Sequence, residues 1–180
     1  MADQTYIALL RGINVGGKVL KMADLRQAVS MLDLADIQTY LQSGNMVFRA
    51  QETEAGTLAP AISQAIADKC AMDVHVLVRT ANDWSHIVAA NPFLQAAEHP
   101  RTLHAFILDR QPESANVEEL MSRDFGADEW KIVGVVLYLH APDGFGKSKL
   151  AGLVERVLKV PMTARNWNTM LALDELARSV

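Results

Sequence analysis

The chain has 180 residues, of which 50% are hydrophobic and 21% charged, with a formal net charge of −4. This length and balance suffice for one large domain or two small ones around a buried core. The mild acidity argues against a dedicated duplex-DNA binder, because counterion release rewards a basic surplus. The one cysteine, Cys70, excludes a disulfide framework within the chain and a cysteine-based zinc site.

The N-terminal sequence MADQTYIALL lacks the basic segment and long apolar run of a signal peptide. No stretch approaches the roughly 18 consecutive apolar residues that a membrane span needs. A protein with a single cysteine suits a reducing compartment. We therefore expect a cytoplasmic protein that does not enter the membrane.

The first half predicts the element order β-α-β-β-α-β. A buried strand, TYIALL, precedes a helix whose apolar residues recur every three or four positions, at Met22, Leu25, Val29 and Leu32. Two short strands follow, joined by a turn at Ser43, Gly44 and Asn45, where small residues suit a tight hairpin. TLAPAISQAIADKC predicts a second helix with Pro60 in its first turn, and DVHVLVRT predicts the last strand. This order is the split-βαβ pattern of ferredoxin-like folds.

The second half runs through similar steps after a connecting helix, TANDWSHIVAA, in which Thr80 and Asp83 have the spacing of a capping box. TLHAFIL, EWKIVGVVLYLHA and PMTARN predict strands, and helices separate them. We therefore predict an α+β protein of two consecutive ferredoxin-like (βαββαβ-type) subdomains, pseudo-duplicated. The expected halves are residues 1–90 and 91–180, packed as one compact unit.

Several segments taken together resemble one bacterial family. They are YIALLRGINVGG, TYLQSGNMVF, NPF, LYLHAPDGFGKSKL and TARNWNTM, and they follow one another over nearly the whole chain. The sequence resembles the family called domain of unknown function 1697. The resemblance implies a fold with ferredoxin-like subdomains. It does not indicate an activity, because the family is functionally uncharacterised. It marks as signature positions Arg11, Gly12, Asn14, Gly16, Gly17, Ser43, Gly44, Asn45, Arg165, Asn166, Trp167 and Thr169.

The loop after the first strand is the first candidate ligand site. Its candidate ligand-binding residues are Arg11, Asn14, Gly16, Gly17, Lys18 and Lys21. Glycines let backbone N–H groups approach an anion, and successive N–H groups can form an anion-binding nest. The guanidinium of Arg11 is a planar donor fork that suits carboxylate or phosphate. The alternative is a glycine turn in which Arg11 forms a structural ion pair.

Two further loops contain candidate ligand-binding residues. The segment TARNWNT supplies Arg165, Asn166, Trp167, Asn168 and Thr169, which together can grip a planar group by stacking and amide bonding. Alternatively, an asparagine caps the final helix and the tryptophan packs in the core. The hairpin turn supplies Ser43 and Asn45. The alternative is that these two residues serve only to form the turn.

Two other patterns favour structure over chemistry. Residues 141–148, APDGFGKS, fit only the loosest form of a phosphate-binding loop, and Pro142 and Asp143 disrupt it. An APDG turn followed by a capped helix explains the segment better. The five histidines have no metal-ligand spacing, so no metal site and no cofactor is predicted.

The sequence favours a protein that binds a small phosphate- or carboxylate-bearing, nucleotide-like ligand through these polar loops. One alternative is an enzyme that uses Arg11 and Arg165 to stabilise negative charge, although no general base or nucleophile stands out. Another is a protein- or RNA-interaction module whose loops are structural. Nucleic acid is the weaker partner, because the hairpin strands contain only Tyr40 and Phe48 as aromatics for stacking. The oligomeric state and the catalytic residues are not predicted.

Overall fold

The computed structural model describes residues 3–17, 19–53 and 55–180. The first part of the chain forms β1 (Asp3–Leu10), α1 (Met22–Val29), β2 (Ala35–Tyr40), β3 (Asn45–Gln51), α2 (Ala55–Cys70), β4 (Val76–Thr80) and α3 (Ala81–Ala89). The second part forms β5 (Leu103–Leu108), α4 (Ser114–Met121), β6 (Glu129–Val133), β7 (Val136–His140), α5 (Lys149–Leu158), β8 (Met162–Asn166) and α6 (Trp167–Ser179). Short 3-10 turns lie at Gln95–Glu98 and Phe145–Lys147.

The first sheet has four antiparallel strands in the order β2-β3-β1-β4. β1 occupies a central position, with Ile7 opposite Val47 of β3 and Leu9 opposite Leu77 of β4. This order is that of a ferredoxin-like βαββαβ unit, as the element pattern predicted.

A core between this sheet and helices α1 and α2 stabilises the first unit. Leu25, Ile62 and Ile66 of the helices are fully buried against Tyr6 and Phe48 of the sheet. The rings of Tyr6 and Phe48 stack with their centroids 5.7 Å apart. Burying each such side chain contributes about 1.5–3 kcal/mol. Leu25 of α1 lies in this core, as the apolar periodicity of the first predicted helix indicated.

The second sheet repeats the arrangement in the order β6-β7-β5-β8, again antiparallel throughout. Its core contains Leu137 and Leu139 of β7 packed with Val154 and Leu158 of α5. The prediction of two ferredoxin-like subdomains in an α+β protein is therefore confirmed.

The chain divides into two compact units. One runs up to His86 and includes Ala172–Val180, and the other is Ile87–Leu171. The end of α6 thus groups with the first unit. The predicted division into residues 1–90 and 91–180 stays a prediction.

Helix α2 differs from the predicted helix at its start. It begins at Ala55, so Pro60 is the sixth residue and lies inside the helix, and its placement in the first turn was wrong. A proline there removes one i→i−4 hydrogen bond, to the carbonyl of Gly56. With 16 residues, α2 is the longest helix, and none in the described ranges has the length and apolar character to cross a bilayer.

Replacing Gly44 with Ala tests how closely the β2–β3 turn packs against the end of β1. Gly44 has a φ of 75°, and a Cβ there would lie 2.7 Å from the Cβ of Leu10 and 2.6 Å from the Cδ1 of Ile13. We expect Gly44→Ala to lower the free energy of unfolding by about 2–4 kcal/mol, from left-handed strain plus overpacking. Urea denaturation measures this loss.

Gly134→Ala is the matched control, because Gly134 also has a positive φ, of 59°, but a Cβ there meets open space. The control should lose only about 1 kcal/mol. Equal losses in the two variants would show that the contact with Leu10 and Ile13 contributes nothing.

Candidate functional site

The exit of β1 is attached to two neighbouring segments. The backbone N–H of Leu10 donates to the carbonyl of Gly44, at 2.8 Å, and that of Arg11 donates to the carbonyl of His75, at 2.9 Å. Arg11 thereby extends the pairing of β1 with the entry of β4, while its side chain is exposed. The position from which this guanidinium extends is thus fixed by the sheet.

Asn14 closes the loop that follows. Its Nδ2 donates to the carbonyl of Leu20, at 3.0 Å, and its Oδ1 accepts the N–H of Leu20, at 2.8 Å. The same Nδ2 also donates to the carbonyl of Gln42 in the hairpin turn. The neighbouring Ile13 and Leu20 are buried in the core. The amide of Asn14 therefore satisfies backbone groups, which favours a structural role for this candidate residue.

An open cavity with a volume of about 590 Å³ lies beside this loop in the first unit. We call it the Arg11 cavity, and it is lined by Arg11, Gly12, Val15, Gly16, Ser63, Asp73, Val74 and His75. The first four follow β1, Ser63 belongs to α2, and the last three precede β4. The side chains of Arg11, Asp73 and His75 are exposed there.

The lining residues combine different chemical properties. Arg11 offers a cationic donor fork, while Gly12 and Gly16, both with positive φ, bring backbone to the cavity without a side chain. Asp73 offers a carboxylate, and His75 an imidazole that can donate or accept a proton. Such a wall can orient a small polar ligand.

Of the predicted residues in this loop, Arg11 and Gly16 line the cavity. Gly17, with a φ of 94°, is exposed in the same loop, and Lys21 is exposed at the start of α1. Lys18 lies outside the described residues. Sequence reasoning did not select Ser63, Asp73, Val74 or His75 as site residues, although His75 was among the histidines that it considered.

The candidate residues of the hairpin turn bond to each other and to the turn. Asn45 is fully buried, and its Nδ2 donates to the carbonyl of Tyr40, at 2.9 Å, and to the Oγ of Ser43, at 2.8 Å. These bonds satisfy a buried amide and close the turn between β2 and β3. The arrangement favours the structural interpretation of Ser43 and Asn45.

Arg165 lies on β8 in the second unit, and its environment is the opposite of that of Arg11. Only 8% of the residue is exposed. Its Nη1 donates to the Oγ1 of Thr163 and to the carbonyl of Ala164, both at 2.8 Å. Burial lowers the pKa of the guanidinium to about 10, so it remains charged at neutral pH. These contacts fit the structural alternative, in which Arg165 is held by the protein itself.

The residues after Arg165 form the start of α6. The Oδ1 of Asn166 accepts the N–H of Thr169, at 2.9 Å, which is the geometry of an N-cap. Trp167 is buried, with its ring centroid 6.3 Å from that of Tyr138, and Thr169 is buried as well. Asn168 is exposed. A capped and packed helix start accounts for most of this segment.

The loop at residues 141–148 is the predicted turn and capped helix. The N–H of Gly144 donates to the carbonyl of Ala141, at 2.9 Å, so the turn closes on itself. The Oγ of Ser148 accepts the N–H of Ala151, at 3.0 Å, and donates to a carboxylate oxygen of Asp128, at 2.7 Å. This interpretation is confirmed.

His104 on β5 is a partly buried imidazole. Its ring stacks on that of Phe145, with the centroids 3.9 Å apart. The Nδ1 of His104 is buried and has no hydrogen-bond partner in the described part of the chain. Burial lowers the pKa of His104 to about 4, so the ring is neutral at pH 7. Within the described ranges, no three His, Cys, Asp or Glu residues come together as ligands for a metal ion.

Comparison with known proteins gives a family and a fold. A family model described as "Protein of unknown function (DUF1697)" matches residues 4–138. The chain is similar in structure to the conserved bacterial protein SP0830 from Streptococcus pneumoniae, with 20% identity and a TM-score of 0.75. The similarity covers 98% of this chain and 99% of the other, and it concerns the fold. No curated protein matches the sequence.

His104 predicts a specific pH dependence of stability. The unfolded chain takes up a proton near pH 6.5, whereas folded His104 does so only near pH 4. Folding stability should therefore fall as the pH drops from about 6.5 to about 4 and level off below that range. Because the ring is partly exposed, we expect this residue to account for about 1–2 kcal/mol of the loss.

Chemical denaturation of the wild type and of His104→Phe over this pH range measures the contribution. Phenylalanine keeps an aromatic ring next to Phe145 but cannot be protonated. The difference between the two profiles separates His104 from carboxylates that titrate in the same range. A difference that stays flat between pH 6.5 and pH 4 would contradict a neutral, desolvated His104.

Proposed function

The chain belongs to DUF1697, a family of proteins of unknown function, and we propose that it binds a small phosphate- or carboxylate-bearing ligand in the Arg11 cavity. The observation that carries the proposal is an exposed arginine whose backbone is bonded to His75, just before β4, at a concave surface that also contains two glycines. The ligand's anionic group would bond to the guanidinium and to backbone amides of the loop.

Arg11 suits this role for two reasons. A guanidinium stays charged at physiological pH, and its planar fork can make two parallel hydrogen bonds to carboxylate or phosphate. Its backbone is also held by the sheet, so less conformational entropy is lost when it binds a ligand. Arg165, which is buried and bonded to Thr163 and Ala164, lacks the exposure that supports the proposal for Arg11.

The volume of the cavity, about 590 Å³, supports a small-molecule ligand. Pockets for small molecules and cofactors range from about 300 to 1,000 Å³. A nucleic acid would require a longer track of positive charge, and the chain has a formal net charge of −4. We therefore favour a metabolite-sized ligand over RNA or DNA.

An enzyme that uses the same cavity is the second candidate, because His75 and Arg11 line it together. An imidazole can act as a general base beside a cation that stabilises developing negative charge. Incubation with phosphomonoesters and carboxylic esters tests this candidate. It gains support if turnover is lost in His75→Gln while ligand binding is retained, and it fails if the wild type turns over none of them.

Replacing Arg11 with Met tests the binding proposal. We expect inorganic phosphate to raise the Tm of the wild type at constant ionic strength, since a ligand that binds only the folded state stabilises it. Loss of a charge-assisted hydrogen-bond pair, worth about 1.5–3 kcal/mol, should weaken binding in Arg11→Met by about 10- to 150-fold. Isothermal titration calorimetry measures the affinity directly, and Arg11→Lys should be intermediate because it keeps only the charge.

Arg110→Met is the matched control. Its side chain is 62% exposed, lies in the second unit and does not line the cavity. This variant should bind phosphate like the wild type. An unchanged affinity in Arg11→Met, or an equal loss in both variants, would refute binding through Arg11. Circular dichroism confirms that each variant is folded before its affinity is compared.

A further inference from the structure

We infer that the ligand of the Arg11 cavity is bipolar, with an anionic group for Arg11 and a hydrogen-bond donor group, such as a diol or an ammonium, for Asp73 and Ser63. The inference rests on the proposed function and names the class of ligand that the same cavity would select. It follows from the different polarity of the segments that line the cavity.

The segment after β1 supplies the groups that attract an anion. Arg11 contributes five N–H donors and a positive charge, and it has no acceptor. Gly12 and Gly16 contribute backbone without a side chain that would block a ligand. Val15, exposed over 64% of its surface, adds an apolar contact beside them.

Ser63 of α2 and Asp73 of the segment before β4 contribute acceptors. Asp73 is exposed at the cavity, and an ionised carboxylate can only accept hydrogen bonds. The hydroxyl of Ser63 already donates its hydrogen to the carbonyl of Val74, at 2.7 Å. Its oxygen can therefore offer a ligand only its lone pairs.

A ligand with negative charge alone would match only part of this cavity. The carboxylate of Asp73 repels a phosphate ion bound nearby, and two unit charges several ångströms apart near a protein surface interact appreciably. A ligand that also has an O–H or N–H group turns the same carboxylate into an attractive partner. The volume of about 590 Å³ leaves room for such a group beside the anion.

His75 does not change this assignment of polarity. Its carbonyl accepts the N–H of Arg11, and its imidazole, which lines the cavity, can donate or accept according to the tautomer. It can therefore contact either end of a bipolar ligand. The selection between monopolar and bipolar ligands depends on Asp73.

Calorimetric titration of the wild type and of Asp73→Asn tests the inference through the sign of the effect. Asparagine keeps the shape of Asp73 and removes its charge. For inorganic phosphate and ethyl phosphate, Asp73→Asn should bind as tightly as the wild type or up to a few-fold more tightly. For a bipolar ligand it should bind at least tenfold more weakly.

Two probe pairs distinguish the sources of the donor group. O-phosphoethanolamine against ethyl phosphate isolates an ammonium, and adenosine 5′-monophosphate against its 2′,3′-dideoxy form isolates a ribose diol. At least one bipolar probe should bind the wild type more tightly than its partner, and only that preference should vanish in Asp73→Asn. Asp68→Asn, on the exposed surface of α2 and outside the Arg11 cavity, removes the same charge as a control.

The outcomes separate this inference from the proposed function. If Arg11→Met abolishes binding but Asp73→Asn strengthens binding of every probe alike, the ligand is a simple anion and the inference is overturned. The same holds if neither bipolar probe is preferred over its partner by the wild type. If Arg11→Met leaves every affinity unchanged, binding through Arg11 is refuted and the bipolar ligand with it.

Discussion

The first unit depends on how the exit of β1 is held. β1 pairs with β3 on one side and β4 on the other, and the last bonds on its two sides are Leu10 N–H to Gly44 and Arg11 N–H to His75. Gly44 has no Cβ, which lets Leu10 and Ile13 lie directly on the hairpin turn. Because both edges of β1 are paired up to its end, the position and direction of the chain are fixed where it leaves the sheet. The Arg11 cavity borders this exit.

The fold was predictable from the sequence because its signals are local. Apolar residues three and four apart marked α1, and the small residues of the β2–β3 turn marked the hairpin. Pro60 was misplaced for a local reason too. Proline favours a first turn by propensity, but the hydrophobic contacts of Leu58 and Ile62 extend α2 on both sides of it. Tertiary packing outweighed the propensity of one residue.

The polar loops were recognised as unusual from sequence, but their roles depend on which groups their side chains reach once the chain is folded. Asn14 bonds to Leu20 and Gln42, and Asn45 to Tyr40 and Ser43. An asparagine whose amide closes a loop and one whose amide binds a ligand have the same sequence signal. The two arginines illustrate the same limit, since both lie in predicted polar loop segments, yet Arg11 is exposed and Arg165 is buried.

The topology itself contained a signal that residue types did not. In a βαββαβ unit of this order, β4 pairs antiparallel with β1, so the residues that enter β4 must lie beside those that leave β1. Asp73 and His75 lie just before β4, and the pairing of β4 with β1 therefore places them close to Arg11. The candidate site is therefore best understood as one end of a strand pair. The same geometry that satisfies the backbone N–H of Arg11 places a carboxylate and an imidazole at the cavity that its side chain lines. The bipolar ligand that we propose depends on this combination more than on the glycine loop.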